Sequence, residues 1–253
     1  LFKKNTLLEI DKKKIYINRL NKKNVFKKTI RITKDKEIRK EDLTNSKLKV
    51  CLKNRNIFML LEEEKIFIKL ITIPKVKGKS LDTIIKGEIK CYFKYNKDII
   101  YSYNIYKEYE KTLEVLLFCV KWDDIFILRD FLHNNNSVKS IWLVQICFLQ
   151  YCKDRFKEED FIFSFIFKDN LYLLACKNGK LINNNIIKKF YDYEFFYKNL
   201  YEFIEDCNDK KINLNLKSIY IANFKDKFEL FKEGISYKIH NLGNINREEL
   251  INF

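Results

Sequence analysis

Glycine and proline are almost missing from this chain: five Gly and one Pro in 253 residues. That scarcity excludes collagen-like and low-complexity classes, and it leaves few positions where a backbone can approach a ligand without an intervening side chain. Histidine is as scarce. His133 and His240 lie far apart, with no Cys or paired carboxylate at ligand spacing, so no metal centre is expected and both read as structural. The seven cysteines (51, 91, 119, 147, 152, 176 and 207) form no CxxC, are odd in number and sit singly in apolar stretches such as LLFCV. They read as buried, reduced thiols of an intracellular protein. The longest uncharged apolar stretch, Ser140 to Tyr151, is about 12 residues against the roughly 20 that span a bilayer, and Leu1-Phe2-Lys3-Lys4 is not followed by a secretory apolar region. No GxSxG or P-loop spacing occurs either, and neither His has a recognisable nucleophile partner, so serine and cysteine hydrolases are not indicated.

What is present is a globular composition, with 47% hydrophobic and 33% charged residues. The net charge is +16, but 43 Lys stand beside only 7 Arg and two Ala, a bias toward A/T-rich codons that puts much of the lysine on a solvated surface. The charge is uneven. Residues 1–50 hold 17 basic and 6 acidic side chains, net +11, leaving +5 for the other 203, so an electrostatic partner would meet the N-terminal part.

Two stretches share one pattern. TLLEI (6–10), KIYINRL (14–20) and VFKKTIRIT (25–33) read as strands joined by the polar links 11–13 and 21–24. FIFSFIF (161–167), LYLLAC (171–176) and LINNNII (181–187) repeat them, with Asn178-Gly179 as a hairpin turn. After the second meander, Tyr193, Phe196, Tyr197, Leu200, Phe203 and Ile204 recur at helical spacing, followed by a strand SIYIA (218–222), a helix over 226–233 and a last strand around 235–239. The first half carries extra material: NIFMLLE (56–62), KIFIKLITI (65–73), a helix capped by Ser80, DIIYSYNIY (98–106), TLEVLLFCV (112–120) and a helix from Trp122 to His133 stopped by Asn134-Asn135-Asn136. The acidic runs Glu62-Glu63-Glu64 and Glu158-Glu159-Asp160 read as a strand-edge turn and a linker between lobes.

Two matching meanders with an inserted subdomain resemble the actin-like ATPase fold. KIFIKLITIPKVKGKSLDTIIKGEIKCYF (65–93) is similar to the strand, Ile-Pro turn and helix ending in an aromatic pair of the PilM family of type IV pilus assembly, to which the cytoplasmic domain of the type II secretion protein GspL is related. Residues 65–136 carry the resemblance by residue pattern, the rest by element order. It implies an α/β, actin-like (ribonuclease H-like) duplicated fold of two lobes, each a mixed sheet with packed helices. The expected lobes are residues 1–155, with an inserted α+β subdomain at about 51–120, and 156–253.

In the actin-like family, Asp-x-Gly turns of both meanders wrap nucleotide phosphates, and a Gly-Gly pair near the end meets adenosine, because phosphate oxygens must reach backbone N–H groups directly. Here the first turn keeps Asp11, but Lys12 and Lys13 follow, Lys13 standing where the glycine would be. The second turn offers Asp169 without glycine, although Ser164 could equally hold the carboxylate position. Ala222-Asn223 replaces the glycine pair.

The expectation is therefore a non-catalytic cytoplasmic scaffold, peripheral to the inner membrane through a partner, with no cofactor required and ATP with Mg²⁺ not expected. The resemblance further implies two partners: the cytoplasmic tail of an inner-membrane pilus-assembly protein, and a pilus motor ATPase. Ile73, Pro74, Lys90, Tyr92 and Phe93 are the residues it suggests for the tail. The alternatives are a drifted but active ATP-binding protein using Asp11 and Asp169, and a nucleic-acid-binding protein using the basic N-terminal fifty residues. That segment interleaves only Phe2, Tyr16 and Phe26 with its lysines, so no nucleic acid is expected.

Overall fold

In the computed structural model the described residues are 4–11, 13–24, 29–40, 54–62, 64–93, 99–121, 137–190, 192–210, 214–224 and 236–251. They form, in chain order, β1 (Lys4–Ile10), β2 (Lys14–Asn24), β3 (Thr29–Arg39), β4 (Arg55–Leu61), β5 (Phe67–Pro74), α1 (Lys79–Phe93), β6 (Ile99–Glu108), β7 (Thr112–Lys121), β8 (Ser137–Leu143) and α2 (Val144–Cys152). The second half follows with β9 (Phe161–Phe167), β10 (Asn170–Lys177), β11 (Lys180–Ile187), α3 (Tyr193–Asp209), β12 (Ser218–Ala222), β13 (Lys238–Asn241) and α4 (Arg247–Leu250). The helices expected at 122–133 and 226–233, the stop at 134–136 and Lys12 lie outside the described residues.

Two five-stranded sheets repeat one topology, β3-β2-β1-β4-β8 and β11-β10-β9-β12-β13. In each, three antiparallel strands in sequence order are extended by two strands parallel to the first. β4 therefore belongs to the first large sheet, pairing Leu8 with Met59 and Ile10 with Leu61, and not to the inserted subdomain. The insertion runs from β5 to β7 instead of starting near residue 51, and forms an antiparallel sheet β5-β7-β6 with α1 packed on it. Two smaller expectations also move. β2 continues through the link at 21–24, and α1 starts at Lys79, so Ser80 lies inside its first turn rather than capping it.

The central strand β9 is buried on both faces, which is why FIFSFIF reads as a near-continuous apolar run. Phe161, Phe163, Phe165 and Phe167 join a core that reaches Leu7, Leu8 and Ile57 of the first sheet. α2 contributes to that shared core: its Phe148 stacks on Phe165 at 3.8 Å and meets Phe167 edge-on at 5.8 Å. From the opposite face, Ile162, Leu171, Leu173 and Ile219 pack on Phe196, Leu200 and Phe203 of α3. Burying each of those helix side chains is worth about 1.5–3 kcal/mol. Asp192 starts α3 by accepting a hydrogen bond from the Phe195 N–H at 2.8 Å.

The inserted subdomain is tied to the second sheet as well as to the first. Asn184 of β11 donates to the Ile66 carbonyl at 2.6 Å and accepts from the Ile66 N–H at 3.1 Å, just ahead of β5. At the β10–β11 turn, where Asn178 and Gly179 both take positive φ as the Asn-Gly pair requires, Asn178 bonds the Tyr106 hydroxyl and Lys180 donates to the Ile105 and Tyr106 carbonyls.

Candidate functional site

The positions that the resemblance points to for a nucleotide are three chain reversals: β1–β2 and β9–β10 for the phosphates, and the end of β12 for the adenosine. Each is closed by its own residues. In the first, Asp11 follows β1, and its Oδ1 accepts hydrogen bonds from the N–H groups of Lys13 and Lys14, both at 2.7 Å. This is the Asx-turn habit of aspartate, and it consumes the amides that a phosphate would need. Lys13 is exposed, and Lys14 pairs with Glu37 at 2.6 Å.

The second reversal is a two-residue turn in which Lys168 (φ 47°) and Asp169 (φ 62°) are both left-handed, with Phe167 paired to Asn170. Asp169 is exposed, and its carbonyl accepts from the Phe190 N–H at 2.7 Å. Ser164 is buried in β9, three residues before the turn, with an unpaired hydroxyl.

At the third, Ala222 is fully buried and pairs with Phe165, and Asn223 takes φ 63°. Its side chain donates to the Ile166 and Ile245 carbonyls at 3.1 and 3.3 Å and accepts from the Ile245 N–H at 2.6 Å, while its own N–H reaches the Gly243 carbonyl. A glycine pair would leave this space open; here an amide side chain fills it.

Between the first two turns lies a charge cluster. Lys168 Nζ stands 2.7 Å from Glu62, 3.4 Å from Glu9 and 4.6 Å from the centre of the Tyr16 ring. Glu9 is fully buried and also receives Asn18 Nδ2 at 2.7 Å and Arg247 at 3.0 Å. Burial pushes the Glu62 carboxyl up to about 7, against the opposing pull of Lys168. Burial also works to lower Lys168, but the charge and hydrogen bond of Glu62 and the charge of Glu9 outweigh it and leave the ammonium above the usual lysine value.

Sequence reasoning missed Glu9, Glu62, Lys168 and Arg247. A glutamate inside TLLEI was the available signal for the first. Glu62 was hidden in an acidic run and Lys168 in a polar link.

The suggested tail-binding residues fall into two groups. Tyr92 and Phe93, at the end of α1 with Lys90, meet Phe67 at 5.6 and 5.1 Å, and Lys69 lies 5.8 Å from the Tyr92 ring. Pro74 and Ile73 end the same strand that Phe67 begins. Pro74 is exposed, but Ile73 belongs to the buried core of the small sheet and presents nothing to a partner. Six of the eight large apolar side chains found exposed among the described residues are on this subdomain: Phe67, Leu70, Tyr92, Tyr101, Ile105 and Tyr109.

His240 Nε2 lies 3.4 Å from Ser218 Oγ and 3.9 Å from Glu158, while the buried Ser218 donates to Glu158 at 2.9 Å; the Tyr220 hydroxyl donates to the same carboxylate. The serine proton thus lies toward the acid and not toward the imidazole. A pocket of about 410 Å³ lined by Ile146, Leu149, Phe161, Lys153, Lys157 and Glu159, among others, includes none of the three reversals. Among the described residues no group of three or more metal-ligating side chains occurs, and no helix is long and apolar enough to cross a membrane. Five of the six described cysteines are buried, all six are free, and burial pushes the Cys147 thiol up to about 12.

No family model and no curated protein sequence matches the chain. Solved structures do. A PilM–PilN type IV pilus biogenesis complex includes a chain with 11% identity and a TM-score of 0.62, the match covering 98% of this chain and 89% of that one. A Bacteroides thetaiotaomicron protein described as having an actin-like ATPase fold and unknown function matches at 11% identity and a TM-score of 0.52, over 96% and 91% of the two chains. The cytoplasmic domain of EpsL, an inner-membrane component of the Vibrio cholerae type II secretion system, is similar over 73% and 71%, with 10% identity and a TM-score of 0.39. With its duplicated sheets and near-complete coverage of these two first structures, the chain has the actin-like ATPase fold.

Proposed function

We propose that this protein is a non-catalytic scaffold of a type IV pilus or related secretion assembly machine, working at the cytoplasmic face of the inner membrane. In this reading it joins the cytoplasmic tail of an inner-membrane partner to the motor ATPase and does not hydrolyse nucleotide. The observation that carries the non-catalytic part is the β1–β2 turn, where the Asp11 carboxylate takes the Lys13 and Lys14 amides for itself. A phosphate bound at this turn would have to break both bonds before it met those amides. The assembly part is supported by the likeness to a protein solved as a PilM–PilN complex.

The aromatic cluster of Phe67, Tyr92 and Phe93 is the part of the inserted subdomain best suited to an apolar tail: rings already in contact, two of them, Phe67 and Tyr92, exposed, beside Lys69 and Lys90. Isothermal calorimetry tests the reading. The expected result is no heat with ATP and Mg²⁺, and saturable heat with the cytoplasmic tail peptide of a candidate inner-membrane pilus-assembly partner. Micromolar ATP binding overturns the non-catalytic scaffold.

A further inference from the structure

The first sheet holds two buried carboxylates for which the second half of the chain supplies the cations. Glu9 lies in β1, and Glu62 follows β4, the strand next to it; Leu60 is the register partner of Glu9, and the Glu62 N–H is bonded to the Ile10 carbonyl. Among the described residues the only polar side chain of the first sheet bonded to either is Asn18, which reaches Glu9. Lys168 comes from the β9–β10 turn and Arg247 from α4. A buried carboxylate left without a cation is costly, so the first sheet is electrostatically incomplete until the second is in place.

Lys168 takes φ 47° as the first of the two left-handed residues of the β9–β10 turn, and that turn carries its ammonium to Glu62 and Glu9 and to the rings of Tyr16 and Phe167.

From this we infer that Lys168 is a closing bolt built into the chain. Its ammonium joins the buried carboxylates of the first sheet to the first turn of the second, so that this junction is held by the chain itself. The bolt rests on charge burial and not on the pilus-assembly reading, and it holds whether or not that reading survives.

Hydrogen exchange read by mass spectrometry on the full chain, without nucleotide, tests it. The variant Lys168→Met keeps the methylene body against Tyr16 and removes the charge. Expected is a rise of about tenfold or more in exchange over the segments 9–17 and 164–172 together, with the α1 segment 79–93 unchanged. If Lys168→Met does not fold, Lys168→Met combined with Glu62→Gln neutralises both partners, and the same loosening is expected in that chain. Wild-type protection at 9–17 and 164–172 in whichever variant folds overturns the bolt. ATP binding by the wild type would remove the scaffold reading and leave the exchange result untouched, so the two failures are told apart.

Discussion

Glu62 and Lys168 stand 106 residues apart in the chain and 2.7 Å apart in the fold, with the carboxylate almost wholly removed from water. The pairing joins the end of β4 to the first turn of the second sheet, and the burial of the carboxyl, which Lys168 only partly opposes, sets its pH dependence.

Burial raises the Glu62 carboxyl from its ordinary value of 4.5 to about 7, which means the folded chain binds a proton there that the unfolded chain has released. The stability that belongs to this proton is fully present below about pH 4.5 and is lost as pH rises through about 7. The depressed carboxyls, such as Glu37 at about 2, act in the opposite sense and at lower pH, where their contribution is lost as pH falls through their folded values. Urea unfolding at pH 5.5 and pH 8 should therefore show the wild type losing stability at the higher pH relative to Glu62→Gln. Equal pH slopes for the two proteins would contradict it.

The second meander was legible because its strands are short, apolar and punctuated: FIFSFIF matches β9 residue for residue. The first was less so: β2 runs on through the polar link to Asn24, and β3 spans the charged Thr29–Arg39, past the expected end at residue 33. α2 was not legible. Val144, Cys147, Phe148 and Cys152 are buried at helical spacing, but Gln145 is buried as well and the exposed face carries Ile146, so the sequence shows no polar stripe opposite an apolar one. The loss of phosphate-loop glycines was equally visible, because it depends on residue type at a turn. The ion cluster was not, since Glu9 and Lys168 are 159 residues apart and nothing local announces that a link lysine reaches a buried acid. Glu62 shows the same limit from another side: three consecutive glutamates give no sign that the first is buried.

Asn184 imitates a peptide group, giving and taking one hydrogen bond with Ile66 across the junction between the second sheet and the inserted subdomain. Asn184→Leu keeps the volume but strands a buried N–H and a buried carbonyl. Each such orphan costs about 1–3 kcal/mol, so a loss on the order of 3 kcal/mol is expected in urea unfolding. Asn185, the next residue on the same strand, is less buried; Asn185→Ala should stay within about 0.5 kcal/mol. A wild-type midpoint for Asn184→Leu would mean that the subdomain does not depend on this clamp.

Phe148 is the aromatic contact through which α2 serves the core shared by both sheets, stacked on Phe165 and fully buried. Phe148→Ala removes a ring that cannot be replaced by collapse from one side only, because the strands around it are held by ladders on both flanks. A loss of about 3–5 kcal/mol is expected by thermal or urea unfolding. A loss below about 1 kcal/mol would show that α2 is a linker and not part of the core.

Asn223 separates two contributions that usually arrive together. Its positive φ favours glycine, whereas its side chain makes three bonds that glycine cannot make. Asn223→Ala loses the bonds and keeps the strain; Asn223→Gly loses the bonds and relieves it. Alanine should therefore be less stable than glycine by about 1 kcal/mol, with both below the wild type. The glycine variant also restores half of the glycine pair that an adenosine would need, so calorimetry with ATP on that variant is informative in its own right. No binding is expected, because the Asp11 turn remains closed. ATP binding gained by this single change would locate the block at Asn223 alone and would leave the other two reversals without the part assigned to them.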